Sequence, residues 1–189
     1  MTNEFEIANN FSYRGNITDI SPLGAGHINK TYVVTTDINK YTLQKINTAV
    51  FKDPVGLMKN IYNVTEFLRK KISARGGDAE RETLSVIKTK TDSLFYVDSN
   101  NEYWRSYLFI DDVITYQEPK SLKVIYESGF AFGDFLNLLS DYDMSTLNDT
   151  IKDFHNTPKR FDNFKKALQD DVANRALNIS DEIEFLLKR

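Results

Sequence analysis

The chain has 189 residues, no cysteine and a formal net charge of −3 at neutral pH. The lack of cysteine excludes disulfides and thiolate metal sites, and the acidic balance argues against nucleic acid or an anionic membrane as a partner. Hydrophobic residues make up 41% of the chain, enough for a sizeable core. The sequence shows neither a signal peptide nor an apolar run of membrane length, so we expect a cytoplasmic protein.

Residues 21–47 predict three strands joined by two tight turns. The first turn holds Gly24 and Gly26, and a β-branched strand follows from Thr31 to Thr36. Glycines in such a hairpin let backbone N–H groups approach the phosphate oxygens of a nucleotide, as in kinase-like folds. The structural alternative is a plain β-turn, which a bare G-x-G pattern also fits.

A helix is predicted next, with Asp53 as its N-cap and Pro54 as its first residue, and it should end near Ser73. Strands are then expected at 83–90 and 94–97, and an aromatic-rich strand at 103–110. Three strands, a helix and two or three further strands is the layout of a protein-kinase N-terminal lobe. In that layout Tyr107, Phe109 and Ile110 fall where the hinge contacts adenine.

Four segments carry a resemblance to a known family: GAGHINKTY at 24–32, YTLQKIN at 41–47, VFKDPVGLMKNI at 50–61 and FHNTPKR at 154–160. They resemble N-acetylhexosamine 1-kinases, which belong to the aminoglycoside phosphotransferase and choline kinase-like group. The resemblance extends from about Gly15 to the end of the chain. It implies ATP- and Mg²⁺-dependent phosphorylation of the anomeric hydroxyl of N-acetylglucosamine or N-acetylgalactosamine.

The resemblance also implies roles for particular residues. Gly24 and Gly26 would cover the ATP phosphates, His27 would contact the sugar or a phosphate, and Asn29 would belong to the substrate site as well. Kinases place a basic residue on the third strand against the α- and β-phosphates. Because strand side chains alternate, either Gln44 or Lys45 takes that place, depending on which face Leu43 occupies. If Gln44 does, the usual positive charge is missing there.

No catalytic loop is found in this sequence. Kinases of this type use an H-x-D-x-x-x-x-N loop followed by a metal-binding Asp, but neither His27 nor His155 begins an H-x-D motif. In the family this loop lies beyond the equivalent of Arg189, and the metal ligands are expected there too. We therefore expect an N-terminal part of a kinase, inactive in phosphoryl transfer by itself.

The second half predicts helices at 121–140, at 158–176 and from Ser180, where Ser180 would be the N-cap. Together the elements predict an α+β fold. A kinase-like N-lobe of antiparallel sheet plus helix would span 1–112, and the first helices of an incomplete C-lobe would span 113–189. Apolar faces on those helices would favour self-association. Two rival functions stay open: a small-molecule kinase acting on an amino alcohol or another sugar, and a non-catalytic binding or oligomerising module.

Overall fold

The structure is a computed structural model that describes residues 4–24, 28–116 and 118–188. The expected mixture of helices and an antiparallel sheet is confirmed. The chain divides into two compact units, Met1–Thr150 and Ile151–Arg189. The expected lobes at 1–112 and 113–189 stay a prediction.

An antiparallel sheet dominates the first unit, and six strands of it lie in the described residues. The order across the sheet is β1-β2-β3-β6-β4, and β5 also pairs with β6. Helix α2 comes between β3 and β4 in the chain. The strands are β1 (Ile17–Pro22), β2 (Lys30–Thr36), β3 (Lys40–Lys45), β4 (Val86–Ile87), β5 (Tyr96–Val97) and β6 (Tyr103–Leu108).

The strands after α2 are shorter than the sequence predicts. Residues 83–90 form only the two-residue β4, and residues 94–97 form only β5. The extended segment ends because the chain turns: the N–H of Thr89 donates to the carbonyl of Ser93, and Asp92 has a φ of 64°. Strand β6 likewise ends at Leu108, two residues before the expected boundary.

A short N-terminal helix, α1 (Glu4–Ala8), was not anticipated from the sequence. Ile7 and Phe11 are 1% exposed and pack in one cluster with Leu43 and Trp104 of the sheet. The Phe11 ring stacks with Tyr13 at a centroid distance of 5.9 Å. This N-terminal segment therefore covers one face of the sheet and forms much of its core.

Helix α2 (Pro54–Ala74) begins and ends close to where the sequence places it. The Asp53 carboxylate caps it by accepting a hydrogen bond from the N–H of Gly56 at 2.8 Å. Met58, Leu68 and Ile72 are buried at helical spacing. The sequence predicts an apolar stripe of Leu57, Ile61, Val64, Phe67 and Leu68, of which only Leu68 is fully buried while the others are partly buried.

The remaining helices agree with the sequence in number and place but differ at their ends. Helix α4 stops at Asp170, where Asp171 adopts a φ of 28°, and not near Ala176. Ser180 is the first residue of α5 and not its N-cap. The helices are α3 (Leu122–Leu138), α4 (Thr157–Asp170) and α5 (Ser180–Leu187), with short 3₁₀ helices at Met144–Thr146 and Ala176–Ile179.

Helix α3 exposes large apolar side chains along its length. Leu122 is 84% exposed, Phe132 is 70% exposed, and none of the α3 residues is buried. This matches the expected apolar faces, while self-association through them stays a prediction. No helix in the described ranges combines the length and apolarity needed to cross a bilayer.

Candidate functional site

The two faces of the sheet are chemically different. Leu43 is fully buried against the N-terminal segment. Because side chains alternate along β3, Thr42 and Gln44 lie on the opposite face. We call this opposite face the polar face. Directly paired residues on neighbouring strands share a face, so Thr31, Val33, Arg105 and Tyr107 belong to the polar face as well.

A row of three polar side chains crosses the polar face on β2, β3 and β6. Thr31 pairs with Gln44, and Gln44 pairs with Arg105. The Gln44 amide nitrogen donates to the Thr31 hydroxyl at 2.9 Å. Its amide oxygen accepts from Arg105 Nε at 2.9 Å and from Nη2 at 2.6 Å. Both ends of the Gln44 amide are thus fixed by neighbouring strands.

Arg105 is a buried cation, with 9% of its surface exposed. Among the described residues it has no carboxylate partner. Its guanidinium carbon lies 5.3 Å from the centroid of the Tyr107 ring. Burial lowers the pKa of Arg105 from its usual value, although nearby Tyr107 counteracts this. An arginine stays protonated under ordinary conditions, so the positive charge remains.

The sequence analysis missed Arg105. The signal that could have found it is a charged residue in the middle of an aromatic strand, between Trp104 and Ser106. The two-residue period of a strand places Arg105 on the same face as Tyr107. Burial raises the pKa of Tyr107 to about 12, with the Arg105 charge acting in the opposite direction.

Lys45 lies on the other face of the sheet. It pairs across the strands with Trp104, which belongs to the buried core, and its ammonium group forms an ion pair with Glu102. Of the two residues that the sequence left open for the phosphate position, Gln44 is therefore the one on the polar face. The structure gives Lys45 a neighbour of opposite charge instead.

Helix α2 brings no acid to Gln44 or Arg105 within the described residues. Glu66 lies 3.5 Å from Arg69 Nε in an ion pair along the helix. The polar side chain of Asn60, also on α2, exchanges hydrogen bonds with Asn148, at 2.8 Å from its Nδ2 to the Asn148 carbonyl. Gln44 is instead hydrogen-bonded to Arg105 of β6.

The glycine turn connects β1 and β2 at the end of the sheet nearest Gln44. Gly24 has a φ of 64°, and apart from its neighbours in the chain no described residue has an atom within 4 Å of where its Cβ would be. The side chain of Asn29 accepts the N–H of Asn47 at 2.9 Å, so it ties the turn to the residues after β3. Gly26 and His27 lie outside the described residues, and their expected roles stay predictions.

The segment after β6 provides backbone groups at the other end of the polar face. The N–H of Phe109 donates to the Lys40 carbonyl at 3.1 Å. The next N–H, that of Ile110, has no hydrogen bond to any described residue. A cavity of about 390 Å³ adjoins this segment, and its lining includes Thr35, Lys40, Phe109, Ile110 and Asp111. Its volume is within the range of small-molecule sites.

The glycine turn and this cavity are separated along the sheet by the length of β3. Tyr41 pairs with Leu108 near the cavity, and Lys45 pairs with Lys30 near the turn. Four residues of strand span roughly 14 Å. An extended nucleotide bound along the polar face could thus place its base at one end and its phosphates at the other.

A second cavity, of about 700 Å³, lies between α2 and α3 and is lined mainly by apolar side chains, with Arg75 and Asp134 among the polar ones. Those two residues form an ion pair at 2.9 Å. Within the described ranges, no cluster of three or more His, Asp or Glu residues could hold a metal ion. Compared with models of known protein families, the chain matches none.

Proposed function

We propose that this chain is the nucleotide-binding part of an ATP-dependent small-molecule kinase whose acceptor is the anomeric hydroxyl of an N-acetylhexosamine. The observation that carries the nucleotide half of this proposal is the polar face. It has Gly24 at one end, a backbone N–H without a partner among the described residues beside a cavity at the other, and polar side chains between them.

The order of elements adds support. The sheet order β1-β2-β3-β6-β4, with α2 between β3 and β4, agrees with a kinase N-lobe in which the third strand is central and its neighbour leads into the hinge. Fold alone does not specify chemistry, so this agreement supports the proposal without carrying it. The sugar acceptor is supported by the sequence resemblance.

Each part of the polar face has a defined task in this proposal. The N–H of Ile110 donates to the adenine, as hinge backbone groups do, and the cavity beside it accommodates the base. Gly24 adds no side chain at its own position, so that backbone N–H groups there can reach the phosphates. The described residues offer Mg²⁺ no acidic cluster, so the proposal assigns no metal-dependent step to them.

Calorimetric titration of the 189-residue chain with adenosine and with ATP tests the nucleotide half. We expect saturable binding of both ligands with one site per chain. Ile110→Pro removes the unpaired N–H and should weaken adenosine binding, whereas Ile110→Ala keeps that N–H and serves as the matched control. If neither adenosine nor ATP binds the unaltered chain, the proposal is wrong.

The acceptor half requires its own measurement. Titration with N-acetylglucosamine and N-acetylgalactosamine in the presence of ATP should show binding that glucose does not reproduce. An amino alcohol such as choline binding in place of these sugars would favour the rival small-molecule kinase. Nucleotide binding with no acceptor preference would leave the nucleotide half standing and remove the sugar from the proposal.

A further inference from the structure

Arg105 is a buried positive charge that has no negatively charged partner among the described residues. Removing a charge from water is costly unless the charge is paired, and buried charges are normally paired with opposite charges. Arg105 is 9% exposed, yet in the described part of the chain its hydrogen bonds go only to the neutral amide of Gln44. A bound anion would supply the opposite charge that Arg105 lacks among the described residues.

Hydrogen bonds to Gln44 hold the guanidinium of Arg105 in position, but they use only some of its N–H donors. Nε and Nη2 donate to Gln44, while Nη1 has no hydrogen bond within the described ranges. Every fully buried side-chain nitrogen or oxygen in those ranges does have a partner, so Nη1 still reaches solvent. The edge of the guanidinium that carries Nη1 therefore keeps some contact with solvent.

The location of Arg105 matches the phosphate end of the polar face. Arg105 lies in the same cross-strand row as Gln44 and Thr31. Thr31 is the second residue of β2, so this row is at the end of the sheet where the glycine turn leads into β2. Kinases normally place a lysine or arginine at the Gln44 position of the third strand. Here the neutral Gln44 occupies that position, and the cation lies directly opposite on β6.

We propose that Arg105 binds the phosphate chain of the nucleotide and that Gln44 positions its guanidinium for this contact. This inference rests on the proposed function and names the residue that supplies the positive charge at that site. A guanidinium fixed by two hydrogen bonds on one edge presents its remaining N–H groups in a defined plane, which suits phosphate oxygens. The Tyr107 ring on the same face supports it by a cation–π contact.

The test compares ligands that differ only in phosphate content. The unaltered chain should bind ATP more tightly than adenosine, and inorganic triphosphate should compete with ATP. Arg105→Gln should weaken ATP binding by about tenfold or more, the loss expected when a charge-assisted contact is removed. Adenosine binding should stay within about twofold, since the hinge end is unchanged.

Two further variants keep the test decisive if Arg105→Gln does not fold. Gln44→Glu gives the guanidinium a carboxylate partner and should weaken ATP binding by a similar factor while the fold persists. Arg69→Gln is the matched control, because Arg69 is a half-buried arginine already paired with Glu66. It should alter stability and leave ATP affinity within about twofold.

The outcomes separate this inference from the proposed function. If the unaltered chain binds adenosine and ATP but both Arg105→Gln and Gln44→Glu retain full ATP affinity, the inference is overturned and the nucleotide site stands. If the unaltered chain binds no adenosine and no ATP, both are overturned. Selective loss of the phosphate contribution, with adenosine binding kept, supports the assignment of Arg105.

Discussion

Gln44 and Arg105 lie opposite each other on neighbouring strands, and the amide oxygen of Gln44 accepts two hydrogen bonds from the guanidinium, at 2.9 Å and 2.6 Å. The pair joins the two central strands of the sheet and fixes a buried positive charge. Its energetics can be tested without any ligand, because the amide can be replaced by groups of similar size and different charge.

Gln44→Lys should destabilise the fold. The substitution places a second cation against Arg105 and removes both hydrogen bonds, so the free energy of unfolding should fall by about 1–3 kcal/mol. Gln44→Glu is the control of nearly equal volume and should be at least as stable as the unaltered chain at neutral pH, because it pairs the buried charge. Urea unfolding measures both. Equal stability of the two variants would contradict the close contact between residue 44 and the buried charge of Arg105.

The N-terminal segment should contribute strongly to stability. Ile7 is 1% exposed and lies in the core cluster with Leu43 and Trp104. Ile7→Ala should lower the free energy of unfolding by about 2–5 kcal/mol, the usual cost of truncating a buried aliphatic side chain. Ile38 is 65% exposed, so Ile38→Ala should stay within about 0.5 kcal/mol. A small effect at Ile7 would contradict the packing of α1 on the sheet.

The N-terminal helix α1 is an element that the sequence pattern does not predict. With five residues, α1 is too short for helical periodicity to reveal it, and its stability comes from tertiary packing. By contrast, α2 could be predicted closely, because a capping Asp53, a proline at its start and a long apolar stripe all agree. Local signals fix such an element, whereas α1 depends on partners that are distant in sequence.

The candidate site, too, could be predicted only in part. Strand alternation limited the phosphate position to Gln44 or Lys45, but choosing between them requires knowing which face α1 covers. Arg105 was missed because its role depends on cross-strand pairing between β3 and β6, which are separated by about sixty residues of chain. The alternation within one strand indicates which side chains share a face, but it does not identify the distant strand that pairs with it.

Asp98 should contribute to the pH dependence of stability. Its carboxylate accepts hydrogen bonds from the N–H groups of Asn100 and Glu102 and from the Trp104 indole at 3.1 Å. Burial by itself would raise the pKa of Asp98, but these donors outweigh it and hold the pKa below its usual value. A carboxyl group with a lowered pKa in the folded state stabilises the fold above its unfolded pKa, and this contribution is lost as the pH falls through the folded value.

Asp98→Asn should therefore be less stable than the unaltered chain at neutral pH, and the difference should shrink as the pH falls below about 4. Chemical unfolding followed by the fluorescence of Trp104, the single tryptophan of the chain, measures this. Asp92→Asn is the control, because the Asp92 side chain is 84% exposed and its ion pair with Lys88 contributes little. A difference that does not depend on pH would exclude the carboxylate as its source.

Gly24 and Gly76 allow a matched test of the glycine turn. Both have positive φ, and in both cases no described residue other than the chain neighbours has an atom within 4 Å of the position that a Cβ would occupy. Valine at either position should therefore cost stability through backbone strain of about 1–2 kcal/mol. Under the proposed function, only Gly24→Val should also weaken ATP binding, because Gly76 lies at the end of α2. Equal ATP affinities in the two variants would leave the turn without a nucleotide role.

We expect substitutions of Lys45 and of Gln44 to have opposite effects on nucleotide binding. Lys45 lies on the core face and pairs with Glu102, so Lys45→Met should leave ATP affinity within about twofold and cost at most about 1 kcal/mol of stability, as for a partly exposed ion pair. Gln44→Ala removes the group that positions Arg105 and should weaken ATP binding while adenosine binding is kept. Titration of both variants with ATP and adenosine distinguishes the two faces of β3. If Lys45→Met lost ATP affinity and Gln44→Ala kept it, the nucleotide would bind on the core face and α1 would have to leave the sheet for binding to occur.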